Sequence, residues 1–270
     1  MRILLTNDDG YKSKGIHELV DIMRPYGEIT VVAPKYHQSG MSMSASLGFK
    51  PLAYKHLGEM DGADWHYLDA TPASCTKFAI DNILGCKPDV CISGINHGSN
   101  SATALWYSAT VGAARQASLY GVPAFAVSLD NVMPDADFSE IRKRFPAIFE
   151  KLYANVSNRE ILYNINFPNT PIKGIRVCTQ GLVHWKEEFI PYDRGIYGKL
   201  GVTPEDLGVL SIPEPEPGET VYMMAGKVFS DPRNGNGTDF IANSEGFISV
   251  SAHGIYDYDA AETERISGIL

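Results

Sequence analysis

Two carboxylates stand side by side at Asp8 and Asp9, in the run Asn7-Asp8-Asp9-Gly10 that directly follows the apolar segment Ile3 to Thr6. Adjacent carboxylates repel unless something positive lies between them, and a hard cation with oxygen ligands removes the conflict. Capping a strand-to-helix turn is the competing use of the same residues. Three further runs carry polar groups. Ser39-Gly40, after Ala33-Pro34, lets a hydroxyl and a backbone N–H approach an anion; an ordinary polar loop is the alternative. Ser93 to Asn100 is a Gly-punctuated turn with two amides, and Asn offers an oxygen to a cation or a nitrogen to a phosphate. Tyr107 to Gly112 puts Ser108 and Thr110 at a helix start, where they cap the helix and face any anion bound there. His97 is expected to be a solvated loop residue. Trp106 and Tyr107 either stack on a base or belong to the core.

Each run has to be held by an element. Helical spacing places Ile16, Leu19, Val20 and Met23 on one face. Ile29 to Ala33 is a strand stopped by Pro34. Pro72 opens a helix expected to reach about Leu84. Val90 to Ser93 and Pro123 to Leu129 are strands; Thr110 to Tyr120 and Phe138 to Tyr153 are helices. This strand–helix alternation predicts an α/β fold with a mostly parallel sheet and helices on both faces. The four polar runs all follow strands, and loops at the carboxyl ends of parallel strands converge. Asp8, Asp9, Ser39 and Asn96 are therefore expected to form one oxygen-ligand site, suited to Mg²⁺, Mn²⁺ or Ca²⁺ rather than zinc or copper. Past residue 160 the character changes. Ile161 to Phe167, Ile175 to Cys178 and Phe247 to Val250 are strand-like, Ser211 to Gly218 is Pro-rich and extended, and Val221 to Phe229 reads as an exposed hairpin arm. The division expected is a core over 1–160 and, over 161–270, strands and an extended arm that complete the sheet and the oligomer interface.

The chain has 270 residues, is 44% hydrophobic and carries a formal charge of -9. An acidic balance argues against a nucleic-acid groove. No apolar stretch of ~20 residues occurs and the N-terminus lacks a signal-peptide core, so no membrane partner and a cytoplasmic location are expected. Cys75, Cys86, Cys91 and Cys178 show no C-x-x-C spacing and are read as reduced thiols. A G-x-S-x-G elbow and a G-x-G-x-x-G fingerprint are both absent, and Ile16 stands where a phosphate-binding loop starting at Gly10 would need Lys.

LLTNDDG at 4–10, VVAP at 31–34 with Ser39-Gly40, SGIN at 93–96 with Gly98 and Asn100, and YSATVGAA at 107–114 together resemble the SurE family of survival-protein phosphatases. NINFP at 164–168, and Thr238-Asp239 with Gly246 and Ser249, extend the resemblance over most of the chain. The resemblance implies a Rossmann-like three-layer α/β/α sandwich with a β-rich C-terminal extension exchanged within a homodimer or homotetramer. It implies hydrolysis of nucleoside 5′- and 3′-monophosphates, with one divalent metal ion per subunit on Asp8, Asp9, Ser39 and Asn96. Asp8 and Asp9 become the catalytic candidates, and Asn7, Gly40, Asn96, Asn100, Ser108 and Thr110 the substrate-binding ones. Three positions depart from the family pattern: Ser74 replaces an acid, Ala104 often an Asp, and Ala109 often a Gly. Rival readings are a signalling receiver domain, disfavoured because Asp89 falls at a strand start, and a non-catalytic nucleotide-binding or sugar-nucleotide transferase module.

Overall fold

The computed structural model describes residues 1–269, with Asp206 through its backbone alone. The chain begins β1 (Arg2–Thr6), α1 (Lys14–Met23), β2 (Glu28–Pro34), β3 (Tyr54–Met60), β4 (Ala63–Leu68) and α2 (Pro72–Phe78). It continues β5 (Val90–His97), α3 (Ala104–Tyr107), α4 (Ala109–Leu119), β6 (Ala124–Leu129) and α5 (Ser139–Ala154). Then come β7 (Ile161–Phe167), β8 (Gly174–Val177), β9 (Val183–Lys186), β10 (Phe189–Pro191), α6 (Ile196–Leu200), β11 (Tyr222–Met224), β12 (Lys227–Ser230), α7 (Asp239–Ser244), β13 (Phe247–Gly254) and α8 (Ala260–Ser267). Among the described residues no helix is long and apolar enough to cross a membrane.

Nine strands form one sheet in the order β3-β4-β2-β1-β5-β6-β7-β13-β8. The strands from β4 to β7 run parallel, while β3 and β13 pair antiparallel with β4 and β7. β1 lies in the interior of the sheet, between β2 and β5, with Leu4 and Leu5 fully buried, as expected of a strand covered on both faces. On one face Ile16, Leu19, Val20 and Met23 of α1 and Phe145 and Phe149 of α5 pack over Ile3, Val31, Trp65 and Phe125. On the other, Cys75 of α2 and the small residues Ala114 and Ala117 of α4 pack over Leu4, Val32, Cys91 and Ala126. The result is the α/β/α layering that the alternation predicts. The expected helix to Leu84 divides into α2 and a π-helical stretch Ala79–Leu84 closed by Gly85 in the left-handed conformation.

Two glycines bring helices against backbone. A Cβ on Gly15 would stand 2.0 Å from Ile95 O, and one on Gly112 would stand 2.2 Å from Ser42 O. The first sets α1 directly on β5; the second sets α4 against the loop after Gly40. Val221 to Phe229 is not the self-paired hairpin expected from the sequence. β11 pairs with β10, and β12 with β9, so two separate ribbons form. The intervening Ala225-Gly226 lies beside Glu188, with Ala225 N–H donating to Glu188 O, and this pairing to an earlier segment wins over the local turn.

Candidate active site

β1 ends at Thr6 and β5 runs beside it with Thr6 opposite Ser93, so the loop after β1 and the end of β5 leave the sheet together. Asp8 is 3% exposed. Thr110 Oγ1, from the first turn of α4, donates to Asp8 Oδ1 at 2.6 Å. Burial first, and the neighbouring Asp9 charge second, push the Asp8 carboxyl up to about 7 despite hydrogen bonds from the Thr110 side chain and backbone. A carboxylate raised by burial and by a like charge is one that a bound cation would return to its ionised form. Asp9 is held from two sides. The His97 backbone N–H donates to its Oδ2 at 3.3 Å, His97 Nδ1 lies 3.1 Å from the same oxygen, and His37 Nδ1 lies 3.4 Å from Oδ1. Burial lowers the His37 pKa, Asp9 works against that shift, and His97 adds to it.

His97 is thus not a solvated loop residue. Its side chain is 11% exposed, it meets Phe138 edge-on, and its Nε2 is buried without a hydrogen-bond partner. His37 was not singled out from the sequence. Its signal was its place between Pro34 and Ser39-Gly40, inside a run already read as polar. The His37 loop is tied to the carboxylates through Gln38 N–H, which donates to Asp8 O at 2.7 Å.

The remaining candidates fall into two groups. Asn96 is buried on β5, and its Nδ2 donates to Gly98 O at 2.7 Å, which turns its oxygen the other way. Ser39 and Gly40 are exposed on the loop after β2, and Ser39 shares a cleft wall with Asp9, His37 and His97. Ser108 caps α4 by accepting from Val111 N–H at 3.1 Å. Asn7 and Asn100 sit deeper. Asn7 Nδ2 donates to Gly10 O (3.0 Å) and Ser13 Oγ (2.8 Å), closing the turn, while its Oδ1 is buried and without a partner. Asn100 N–H donates to Asn166 Oδ1 and its Nδ2 to Ser128 Oγ, both at 2.8 Å. Asn164 Nδ2 in turn donates to Asn100 O at 2.9 Å. The NINFP run therefore buttresses the Asn100 turn from β7. Asp239, at the start of α7, accepts from Ala102 N–H at 3.0 Å and Gly181 N–H at 2.8 Å.

The cleft beside this cluster is about 920 Å³, large enough for a nucleotide-sized molecule. Tyr11, Lys12, Lys14, Lys35 and Tyr36 line it with Asp9, Ser39 and the two histidines, and Leu207, Gly208 and Leu210 complete its wall, Gly208 packing on the His37 ring. Lysines here offset the negative charge of the chain as a whole. Trp106 and Tyr107 are not core residues: they are 42% and 59% exposed, and Tyr107 meets Trp185 edge-on at 5.9 Å. Ser74, where the family pattern has an acid, accepts from Ser46 N–H at 2.8 Å and from Thr71 Oγ1 at 3.0 Å, so it fastens the loop after Gly40 instead.

The chain as a whole is similar to known proteins. The family model for survival protein SurE matches residues 3–187. A protein of Christiangramia forsetii named 5′-nucleotidase SurE is 37% identical over 259 residues, covering 92% of this chain and 88% of that one. One of Bacteroides thetaiotaomicron with the same name is 41% identical over 197 residues, covering 71% and 74%. The crystal structure of the SurE protein from Aquifex aeolicus superposes with a TM-score of 0.78 at 29% identity, covering 100% of this chain and 99% of that one. With the Asp8–Asp9 pair standing at the carboxyl edge of this sheet, and with a family model matched over more than half its length, the chain belongs to the SurE family.

Proposed function

We propose that this chain is a metal-dependent phosphatase that hydrolyses nucleoside 5′-monophosphates, and 3′-monophosphates as well, to nucleoside and phosphate. The observation that carries the reading is Asp8: a buried carboxyl pushed up to about 7, beside Asp9, which lines a cleft with lysines and tyrosines. The donor set fits a hard cation, since Asp8, Asp9, the Ser39 hydroxyl and the Asn96 amide oxygen are all oxygen ligands. One Mg²⁺ or Mn²⁺ per subunit, with Ca²⁺ as a further occupant, would be held there. Such an ion supplies Lewis acidity toward a phosphoryl oxygen and lowers the pKa of a bound water.

The chain's own residues supply the rest. Gly40 and Ser108 supply an N–H and a hydroxyl at the loop after β2 and the start of α4, where a phosphate's equatorial oxygens gain stabilisation as charge spreads over them, while Thr110 beside them gives its donors to Asp8. Thr110 holds Asp8 in place from Oδ1, and the His97 N–H with His37 fixes the rotamer of Asp9. Two carboxylates oriented in this way position an attacking water or accept its proton. Tyr11 and Tyr36 offer ring faces to the base, and Lys12 and Lys35 balance the charge of the phosphate. Cys75, Cys86, Cys91 and Cys178 are free thiols, in keeping with work in the reducing cytoplasm. The 161–270 region adds strands to the sheet and carries the arm through which a homodimer or homotetramer forms.

Phosphate release from a panel of nucleoside monophosphates, with Mg²⁺ or Mn²⁺ and then with chelator, tests the reading. Turnover is expected with metal and lost with chelator. Asp8→Asn should lower turnover by at least ~100-fold, because the ligand is weakened to an amide oxygen and its charge is lost. The chelated variant should melt no lower than the chelated wild type, because a costly buried carboxyl is gone. Wild-type turnover in Asp8→Asn removes Asp8 from the site. Tight nucleotide binding without phosphate release, or release only to an acceptor, would favour the binding or transferase reading.

A further inference from the structure

A second constellation lies away from the cleft, at the β3 edge of the sheet. His56 on β3 and His66 on β4 are direct cross-strand partners, and their imidazoles stack with centroids 4.5 Å apart at 15°. Asp64 stands two residues before His66 and so projects from the same face of β4. Its Oδ1 lies 2.6 Å from His56 Nε2 and its Oδ2 lies 3.0 Å from His66 Nε2. One ligand atom from each of the three residues falls within 4.8 Å of the others. The ladder is bulged between His56 and Gly58, and a bulge re-aims the side chains around it.

Geometry and burial separate this group from an ordinary surface ion pair. The His66 side chain is 5% exposed, whereas that of His56 is 55% exposed, so one ligand is anchored and the other stands at an open mouth. His66 Nδ1 meets the Tyr54 hydroxyl at 2.9 Å, which fixes the ring and leaves Nε2 facing Asp64. A partner on the far nitrogen is the arrangement that orients a metal-binding imidazole. Two imidazole nitrogens and one carboxylate form a donor set for a borderline ion such as Zn²⁺, in contrast to the all-oxygen set at Asp8. Ligand atoms of a tetrahedral site with bonds of ~2.1 Å stand ~3.4 Å apart, so the two carboxylate–imidazole separations need to open by less than about 1 Å, and the His56 ring has to turn out of its stack on His66 to aim a nitrogen at the same ion. Exposed His56 has room to make that adjustment.

We propose that His56, Asp64 and His66 form a second, transition-metal site, which takes Zn²⁺ with three protein ligands and pins the edge strand β3 to β4. Asp64 sits at the amino end of β4, and β4 runs parallel to β2, whereas the cleft lies at the carboxyl ends. Occupancy therefore does not compete with substrate.

The test uses the full chain stripped with chelator, then dialysed against Zn²⁺, with metal content measured by mass spectrometry. Co²⁺ serves as the optical probe, since its visible bands report tetrahedral nitrogen and oxygen coordination. Measurements are made in wild type, in Asp8→Asn, in His56→Ala and in Asp64→Asn. Wild type and Asp8→Asn should both retain one Zn²⁺ per chain and show the Co²⁺ bands. His56→Ala and Asp64→Asn should bind at this site at least ~10-fold more weakly, since the first lacks a ligand and the second replaces an anionic ligand by a neutral amide. His56→Ala, altered at an exposed side chain, should fold and keep wild-type turnover with Mg²⁺ or Mn²⁺. Undiminished Zn²⁺ affinity in both His56→Ala and Asp64→Asn overturns the proposal. So does loss of all Zn²⁺ binding in Asp8→Asn, which would place the ion in the cleft.

Discussion

His253, near the end of β13, shows how one side chain can set a pH limit on the fold. It pairs across the sheet with Leu162 of β7, and its Nε2 lies 2.8 Å from Ser251 Oγ. Burial first, and the Arg115 guanidinium of α4 second, hold its imidazole down to about 4, against ~6.5 in an unfolded chain. Between those values the unfolded state binds more protons, so stability rises with pH there. The contribution of His253 is complete above about pH 6.5 and is lost as pH falls toward 4. In His253→Gln that dependence should disappear. Urea midpoints for both proteins from pH 4 to 8 check this: their difference should change across the lower half of the range and stay level above. Asp8 titrates nearby in both proteins and cancels in the difference. A constant difference throughout would show that His253 carries its proton equally in both states. At this scale the sequence spoke clearly about Asp8 and Asp9, because two carboxylates after a buried strand have few uses. It was silent about His37 and misleading about His97, since what a loop histidine faces is decided by which strand lies alongside. Only the pairing of β5 with β1 puts His97 on Asp9.

At the scale of elements, α4 joins a close packing contact to the site. Its first turn carries Ser108 and Thr110, and Gly112 lets it press on the Ser42 backbone. In Gly112→Ala the new Cβ would lie 2.2 Å from Ser42 O and 2.7 Å from Ser42 C, so helix or loop must move. Overpacking of this kind costs ~1–3 kcal/mol. The expected result is a lower urea midpoint together with reduced turnover, because the displaced helix carries the Thr110 that holds Asp8. Gly198→Ala, where no atom lies within 4 Å, is the control and should leave both unchanged. The α-helices and central strands were legible because their apolar periods are strong. The β3–β4 hairpin was legible too and was overlooked: Asp61-Gly62 joins its strands, with both residues at positive φ, and Asp-Gly is a strong hairpin signal. Polar residues such as His56 and Asp64 hid the strands, because an edge hairpin lacks the continuous apolar run of a central strand. The pairing of β9 with β12, across more than forty residues, left no local trace.

For the whole molecule, the main sheet ends at β8, but the two ribbons β10–β11 and β9–β12 stand outside it. Two-stranded ribbons are marginal in water unless something covers a face. Here Phe189, Tyr222 and Met224 on the first ribbon, and Val228 and Phe229 on the second, are all exposed. Apolar side chains gathered in this way mark an interaction surface. A second copy of the chain is the partner that requires nothing further, since a two-fold axis can set the same patch against itself. Light scattering should therefore give a mass of two or four chains. Met224→Asp combined with Phe229→Asp should shift that mass to one chain, because each would bury an unpaired charge in the contact. The ribbons of the variant should then be cut by protease well before the main sheet. Because the cleft wall at Leu207 and Leu210 lies in the same stretch of chain as the arm, turnover should fall with the loss of assembly, mainly through a raised KM. A wild-type chain that scatters as a monomer at the concentrations used for turnover would assign these side chains to another partner.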